Sequence, residues 1–288
     1  MDMNKSFGTV AALMTGASVF AINLPSAALA QEQGLPAVRN LNGKLTFGYL
    51  ASNGNDAPEG GYVSGAMSVP LGARVGAQLD FSADNATGDN GRVDGSKGVG
   101  LHLFTRDPNR YLLGIYAHRV NVDTNLGTAH NDRLGVEAEL YSGNFTFAMF
   151  AGKDKVSGAG QTKTFGSATV DLDYYISDNT MLTASAERAY DKTSGSIGVQ
   201  HLYGMGSVPM AVSATIGGFE GEMTASLGAT VFFGNDGLSL KDINRTNDPR
   251  IRTGASAPRN GYFQSLKSGT LDTPFVPNPK YKIPITFY

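Results

Sequence analysis

The chain has no cysteine and no tryptophan among its 288 residues. The missing thiol excludes disulfides, thiolate zinc sites and cysteine nucleophiles. A net charge of −2 is too small to draw in nucleic acid. There are only four histidines, and neither G-x-S-x-G nor H-E-x-x-H occurs, so hydrolytic chemistry has few candidates. Past Gln31 no apolar run approaches the ~18 residues that a membrane-spanning helix needs. What is plentiful is glycine, at 37, with 12 tyrosines and 15 phenylalanines. A mean hydropathy of −0.16 suits a chain in which only alternate strand residues meet an apolar phase.

Residues 1–30 read as a cleavable export leader. Lys5 supplies the positive start, Val10 to Leu24 is largely apolar, and Ala28-Leu29-Ala30 forms an A-x-A cleavage site before Gln31. Residues 31–40 follow as a short periplasmic lead-in.

From Leu41 the sequence becomes a series of alternating segments separated by turn residues. Twelve candidate strands fall at 41–53, 60–71, 73–84, 97–106, 110–122, 132–142, 144–153, 163–177, 180–190, 194–204, 208–219 and 222–234. Val75, Ala77, Leu79 and Phe81 oppose Gly76, Gln78, Asp80 and Ser82. Leu134, Val136, Ala138 and Leu140 oppose Gly135, Glu137, Glu139 and Tyr141. The connections are expected to alternate, with long ones at Asn53–Gly60, Asp84–Gly95, Asp123–Asp132 and Lys153–Thr162, and short ones at Pro70–Ala73, Arg106–Arg110, Ser142–Asn144 and Ser177–Asn179. Tyr190–Ser194 and Phe219–Gly221 break that rule.

A soluble β-sandwich or lipocalin-like barrel also alternates, and periodicity does not say which face is inside. Three features favour a membrane. The polar faces are rich in small residues. The apolar stripe recurs on nearly every strand, which would overfill a soluble barrel. Aromatic residues (Tyr49, Tyr62, Phe81, Tyr111, Tyr141, Phe145, Tyr174, Tyr203 and Phe233) lie near strand ends, where interfacial girdles sit. The expected fold is all-β: an antiparallel up-and-down transmembrane barrel over residues 41–235, followed by an irregular tail over 236–288.

The last strand carries a further signal. Leu227, Ala229, Val231 and Phe233 form an apolar face, opposed by Ser226, Gly228, Thr230 and Phe232. Ser226, Gly228, Val231 and Phe233 resemble the closing-strand signal of Gram-negative outer-membrane β-barrel proteins, broadly porin-like. With the leader and the twelve alternating segments, the resemblance covers most of the mature chain. It implies an outer-membrane location and surroundings of lipid and lipopolysaccharide. It also implies the barrel-assembly machinery and periplasmic chaperones as partners, and passive passage of small hydrophilic solutes. No cofactor motif is present and no catalytic residue is assigned.

Charge on the inward faces is uneven. Glu137, Glu139, Asp171, Asp173 and Glu187 fall on neighbouring strands. Such a cluster concentrates cations and repels anions. Arg74, Arg106 and Lys44 are expected to form an opposing basic wall. Salt bridges that fill the lumen and an open, conducting lumen are both compatible with this pattern. Asp80 and His102 are the adjacent-strand pair to inspect for an enzyme of lipid, with His118 also facing inward. The aspartate-rich loop 84–95 lacks EF-hand spacing and reads as a solvated outer loop.

Residues 236–288 lose the alternation. From Lys241 there are eight basic residues against three acidic ones, a net of +5, so residues 31–240 are net acidic. Two readings stand: a disordered periplasmic tail, or a tail that folds back toward the acidic lumen as a plug. The terminal Thr286-Phe287-Tyr288 looks like an aromatic outer-membrane C-terminus, but Pro284 argues against a last strand there.

Overall fold

The computed structural model describes residues 35–53, 59–88, 93–124, 127–158, 161–189, 192–204, 208–219, 222–247 and 249–253. The leader and the terminal Thr286-Phe287-Tyr288 lie outside the described residues. Twelve strands are present: β1 (Asn42–Ser52), β2 (Gly60–Pro70), β3 (Val75–Gly88), β4 (Val93–Asp107), β5 (Tyr111–Thr124), β6 (Gly127–Ser142), β7 (Phe145–Gly158), β8 (Gln161–Ser177), β9 (Thr180–Ala189), β10 (Lys192–Tyr203), β11 (Met210–Phe219) and β12 (Glu222–Phe233). Each pairs antiparallel with its sequence neighbours, and β1 pairs with β12 to close the barrel, with Gly43 opposite Phe233 and Ser52 opposite Thr224. Closure removes every sheet edge.

Direction of burial settles the question that periodicity leaves open. Leu134, Val136, Ile197 and Leu227 are 64, 59, 65 and 67% exposed on the outer wall. On the opposite face Asp80, His102 and Arg106 are fully buried. A soluble barrel would reverse this arrangement. An apolar exterior around a polar interior is the arrangement a bilayer demands. Among the described residues no helix is long and apolar enough to cross a membrane.

Two aromatic residues expected in the girdles face inward instead. Tyr141 is 7% exposed and Tyr62 9%. Tyr62 lies across two glycines of the closing seam. A Cβ at Gly48 would meet its ring at 2.2 Å, and one at Gly228 its hydroxyl at 2.9 Å. Gly228 of the closing signal therefore makes room for a side chain from β2, two strands away.

The four connections expected to be short are short, but three of the four expected to be long are not. Most of Asp84–Gly95, Asp123–Asp132 and Lys153–Thr162 is strand: β3 runs on to Gly88, β6 begins at Gly127 and β7 continues to Gly158. The ladder persists there, with Asp132 opposite Lys155 and Lys155 opposite Thr164. Outside a bilayer the outward face need not be apolar, so the polarity signal stops while hydrogen bonding continues.

The described segments that precede β1 and follow β12 both turn into one mouth of the barrel, here called the terminal end. In the lead-in, the Ala37 N–H donates to Ala73 O at 3.0 Å, and buried Val38 packs with Phe104, Leu112 and Tyr141. After β12 comes one short helix, α1 (Leu240–Thr246), inside the stretch expected to be irregular. Ser239 caps it, its Oγ accepting from the Asp242 N–H at 3.1 Å. Leu240 and Ile243 are fully buried against Tyr175, Met181, Leu202, Ala211 and Phe232. Each such burial is worth roughly 1.5–3 kcal/mol. Lead-in and helix together form a two-part floor. The Arg39 N–H joins them by donating to Asn247 Oδ1 at 3.3 Å.

Candidate functional site in the lumen

The inward residues form three charged layers, counted from the terminal end. In the first, Glu139 on β6 and Asp171 and Asp173 on β8 converge on Arg250, which follows α1. Its Nη2 donates to Asp173, its Nε lies 3.6 Å from Glu139 Oε1, and Asp171 Oδ2 is 3.9 Å away. Glu139 also accepts from the Tyr141 hydroxyl at 2.9 Å.

The second layer centres on His102. Its Nε2 lies 3.0 Å from Asp80 Oδ2 and its Nδ1 2.7 Å from Glu137 Oε1. The expected Asp80–His102 pair is therefore made, with a second carboxylate on the other nitrogen. No ring nitrogen is left to take a proton from a substrate. Arg252 Nε donates to the other oxygen of Glu137 at 3.2 Å, and the Arg252 N–H donates to Asp80 Oδ2 at 3.2 Å. Gln78 Nε2 links Asp80 Oδ1, at 2.7 Å, to the Pro249 carbonyl, at 3.1 Å.

Among the described residues the third layer is made by the wall. Arg133 on β6 forks onto Asp154 of β7 at 2.7 and 3.0 Å and reaches Glu187 of β9 at 3.2 Å. His118 sits beside it, its Nδ1 2.9 Å from the Tyr116 hydroxyl and its Nε2 3.2 Å from Asn131 Nδ2.

Of the residues expected in the lumen, Glu137, Glu139, Asp171, Asp173, Glu187, Asp80 and Arg106 all face inward and are buried. They do not make one cluster, because Glu187 belongs with Arg133 rather than with Asp171. Arg74 is misplaced in the sequence reading. It lies in the turn before β3, is 41% exposed at its side chain and pairs with Asp107 at 3.1 Å. Parity failed there because residue 74 precedes the first ladder pair. Arg106 donates from Nη1 to the Ala37 carbonyl at 3.2 Å and sits 4.9 Å over the Phe104 ring, so it holds the lead-in. Arg133 and Asp154 were missed because the alternation weakens there, although Arg133 shares parity with Glu137.

The tail arginines hold further positions. Arg245 of α1 donates to the carbonyls of Gly143, at 3.0 Å, and Phe145, at 2.7 Å. Between α1 and the first layer lies a cavity of about 140 Å³, lined by Lys44, Glu139, Asp173, Gln200, Asn244 and Arg250 among others. Among the described residues no group of histidines and carboxylates is arranged to hold a metal ion.

No protein-family model matches the chain. No curated protein matches it either. Solved structures do. An outer membrane channel from Pseudomonas putida F1, described as COG4313, is 11% identical, with a TM-score of 0.52 over 71% of this chain and all of that one. KdgM porin in complex with disordered oligogalacturonate is 8% identical, at a TM-score of 0.46 over 65% of this chain and 97% of that one. The translocator domain of the autotransporter NalP from Neisseria meningitidis is 12% identical, at 0.46 over 79% and 97%. At these identities the likeness is one of fold. The chain has the fold of outer-membrane β-barrel proteins, and its apolar outer wall is that of a barrel seated in a lipid bilayer.

Proposed function

We propose that the protein is an outer-membrane channel for small hydrophilic solutes, closed at rest by the chain that follows β12. One observation carries this reading. The charged interior of the wall does not fill its own lumen: residues 249–253 are inserted into it, and a cavity of about 140 Å³ remains beside them. Small closed barrels fill with wall side chains alone. A lumen that takes an added segment has the cross-section of a pore once that segment leaves.

The cation preference expected from the sequence has a physical basis in this reading. Arg250 and Arg252 neutralise the first and second layers. Their departure leaves Glu137, Glu139, Asp171 and Asp173 facing water, and such a ring favours cations. Planar-bilayer recording tests this. The wild type should be mostly silent. Arg250→Ala/Arg252→Ala, and a chain ending at residue 235, should give ohmic steps with cation preference.

A second reading is a structural barrel with a permanent plug, favoured by the burial of the ion pairs that seat the segment. Silence from both variants, with folding intact, selects it. A lipid-active enzyme gains little support, since both nitrogens of His102 and of His118 are engaged.

A further inference from the structure

We infer that the outer wall over β7–β9 seats one phosphate-bearing glycolipid of the outer leaflet, its headgroup on Lys153, Lys155 and Arg188 and an acyl chain in the groove beneath. The inference goes beyond the channel reading. It needs the outer-membrane seat but not an open lumen.

The three cations stand on the lipid-facing side of the wall. On β7 the exposed positions Phe145, Phe147, Met149 and Ala151 continue to Lys153 and Lys155. On β9 Leu182, Ala184 and Ala186 continue to Arg188. All three cations belong to the ladder, which fixes their height. Lys153 lies opposite Leu134 and Gly166, Lys155 opposite Asp132 and Thr164, and Arg188 opposite Ala168 and Thr193. They sit at the end of the barrel away from the terminal end. The connections at the terminal end are short, as from Ser142 to Phe145 and from Ser177 to Thr180, which is the periplasmic pattern. The cations therefore stand where hydrocarbon gives way to the headgroups of the outer leaflet.

The charge is one-sided. At that level β4, β5, β7 and β9 turn Lys97, Arg119, Lys153, Lys155 and Arg188 outward. Among the described residues β10, β11, β12, β1 and β2 turn no cation outward there. A general attraction to an anionic surface would be spread around the barrel. Arg119 is already engaged, forking onto Asp132 at 2.6 and 2.8 Å. Among the described residues no ion pair holds Lys153, Lys155 or Arg188.

Shape supplies an independent observation. Between β7 and β9, β8 offers only Gly166 and Ala168 outward at this height. A Cβ at Gly166 would meet no atom within 4 Å. From the strand spacing, the Lys153 and Arg188 Cα atoms flank this open gap at about 12 Å. Two long side chains can close over a phosphate across that span, the guanidinium forking onto its oxygens and the ammonium acting as a point charge. Toward the midplane the wall holds an apolar groove of about 490 Å³, lined by Leu172, Leu182, Ala184, Ile197, Val199 and Ile216 among others. Ala184 is four residues from Arg188 on the same face, about 13 Å along the strand. An anion site above a hydrocarbon groove is the outline of a charged lipid. A second copy fits this face less well, because a two-fold contact through it would bring the same cations together.

Native mass spectrometry of the full-length protein in micelles, titrated with diphosphoryl lipid A, tests the inference. One lipid should be retained per chain. Lys153→Gln/Arg188→Gln should weaken binding by about tenfold. Ala184→Phe, which fills the groove and leaves the charges in place, should also weaken it. Lys97→Gln, on the far side of the basic band, should leave it unchanged. Phosphatidylcholine should not compete. Equal retention by the wild type and the double variant overturns the inference. So does an equal loss from Lys97→Gln, which would mean a diffuse band, or no effect of Ala184→Phe, which would empty the groove of its role. Dimers that persist without lipid give the face to a second copy and overturn it as well. Ohmic steps from the chain ending at residue 235 should be indifferent to Lys153→Gln/Arg188→Gln, so the lipid seat and the channel fail separately.

Discussion

Arg250 carries its charge in among three carboxylates, those of Glu139, Asp171 and Asp173. Removing one member of a buried pair costs about 3–5 kcal/mol when the remaining charge stays buried. Here the chain has a way out, because the segment can leave and admit water. Arg250→Ala should therefore abolish hydrogen-exchange protection around residues 249–253 and barely alter the thermal unfolding of the barrel. Equal loss in both would show that the segment is part of the barrel's stability. Arg250→Lys should lie between, keeping the charge and losing the fork. Residue-scale roles were partly legible in advance. The inward parity of Glu137, Glu139, Asp171 and Asp173 follows from the period of two. Parity cannot say that Arg133 takes Glu187 while a tail arginine takes Asp173, since those partners are 54 and 77 residues apart.

At the scale of elements, the closing seam depends on fit as much as on pairing. Tyr62 of β2 crosses Gly48 of β1 and Gly228 of β12. Gly48→Val would place atoms within the tyrosine ring, an overpacking that typically costs about 1–3 kcal/mol. Heat-modifiable electrophoretic mobility should show a smaller folded fraction for Gly48→Val. Tyr62→Ala in the same chain should restore it in part, since the added Cβ still meets the Leu227 carbonyl oxygen at 2.5 Å. A folded fraction unmoved by Gly48→Val would remove Tyr62 from the seam. The motif at Ser226, Gly228, Val231 and Phe233 identifies the strand, and the structure supplies the reason for its glycine. The helix α1 was harder to see. Its cap, Ser239 with Asp242 three residues on, is a written signal. Seven residues are too few for apolar periodicity to stand out from the surrounding prolines and charges.

For the whole molecule, the decisive quantity is which solvent meets each wall. Val136 and Glu137 are adjacent in sequence and on opposite sides of the sheet, 59 and 5% exposed. Val136→Arg puts a charge into hydrocarbon and should cost about 2–4 kcal/mol near the midplane. Urea unfolding in lipid vesicles should show that loss, and Leu134→Ile at a neighbouring outward site should not. An equal effect from both substitutions would argue against a lipid-facing wall. The strands that extend past the apolar belt mark the limit of this logic, because their ladder continues where the bilayer no longer sorts their side chains.

The sequence by itself determined an antiparallel barrel of about twelve strands and the two faces of its wall. These follow from a local alternation repeated twelve times, with one face needing oil and the other water. Only the tertiary structure decided that the lead-in and α1 floor one mouth, that Arg250 and Arg252 sit among the luminal carboxylates, and that Arg74 stays outside. Those outcomes depend on closure, which brings together residues as far apart as Glu137 and Arg252, separated by 115 positions. No local period carries information over that distance.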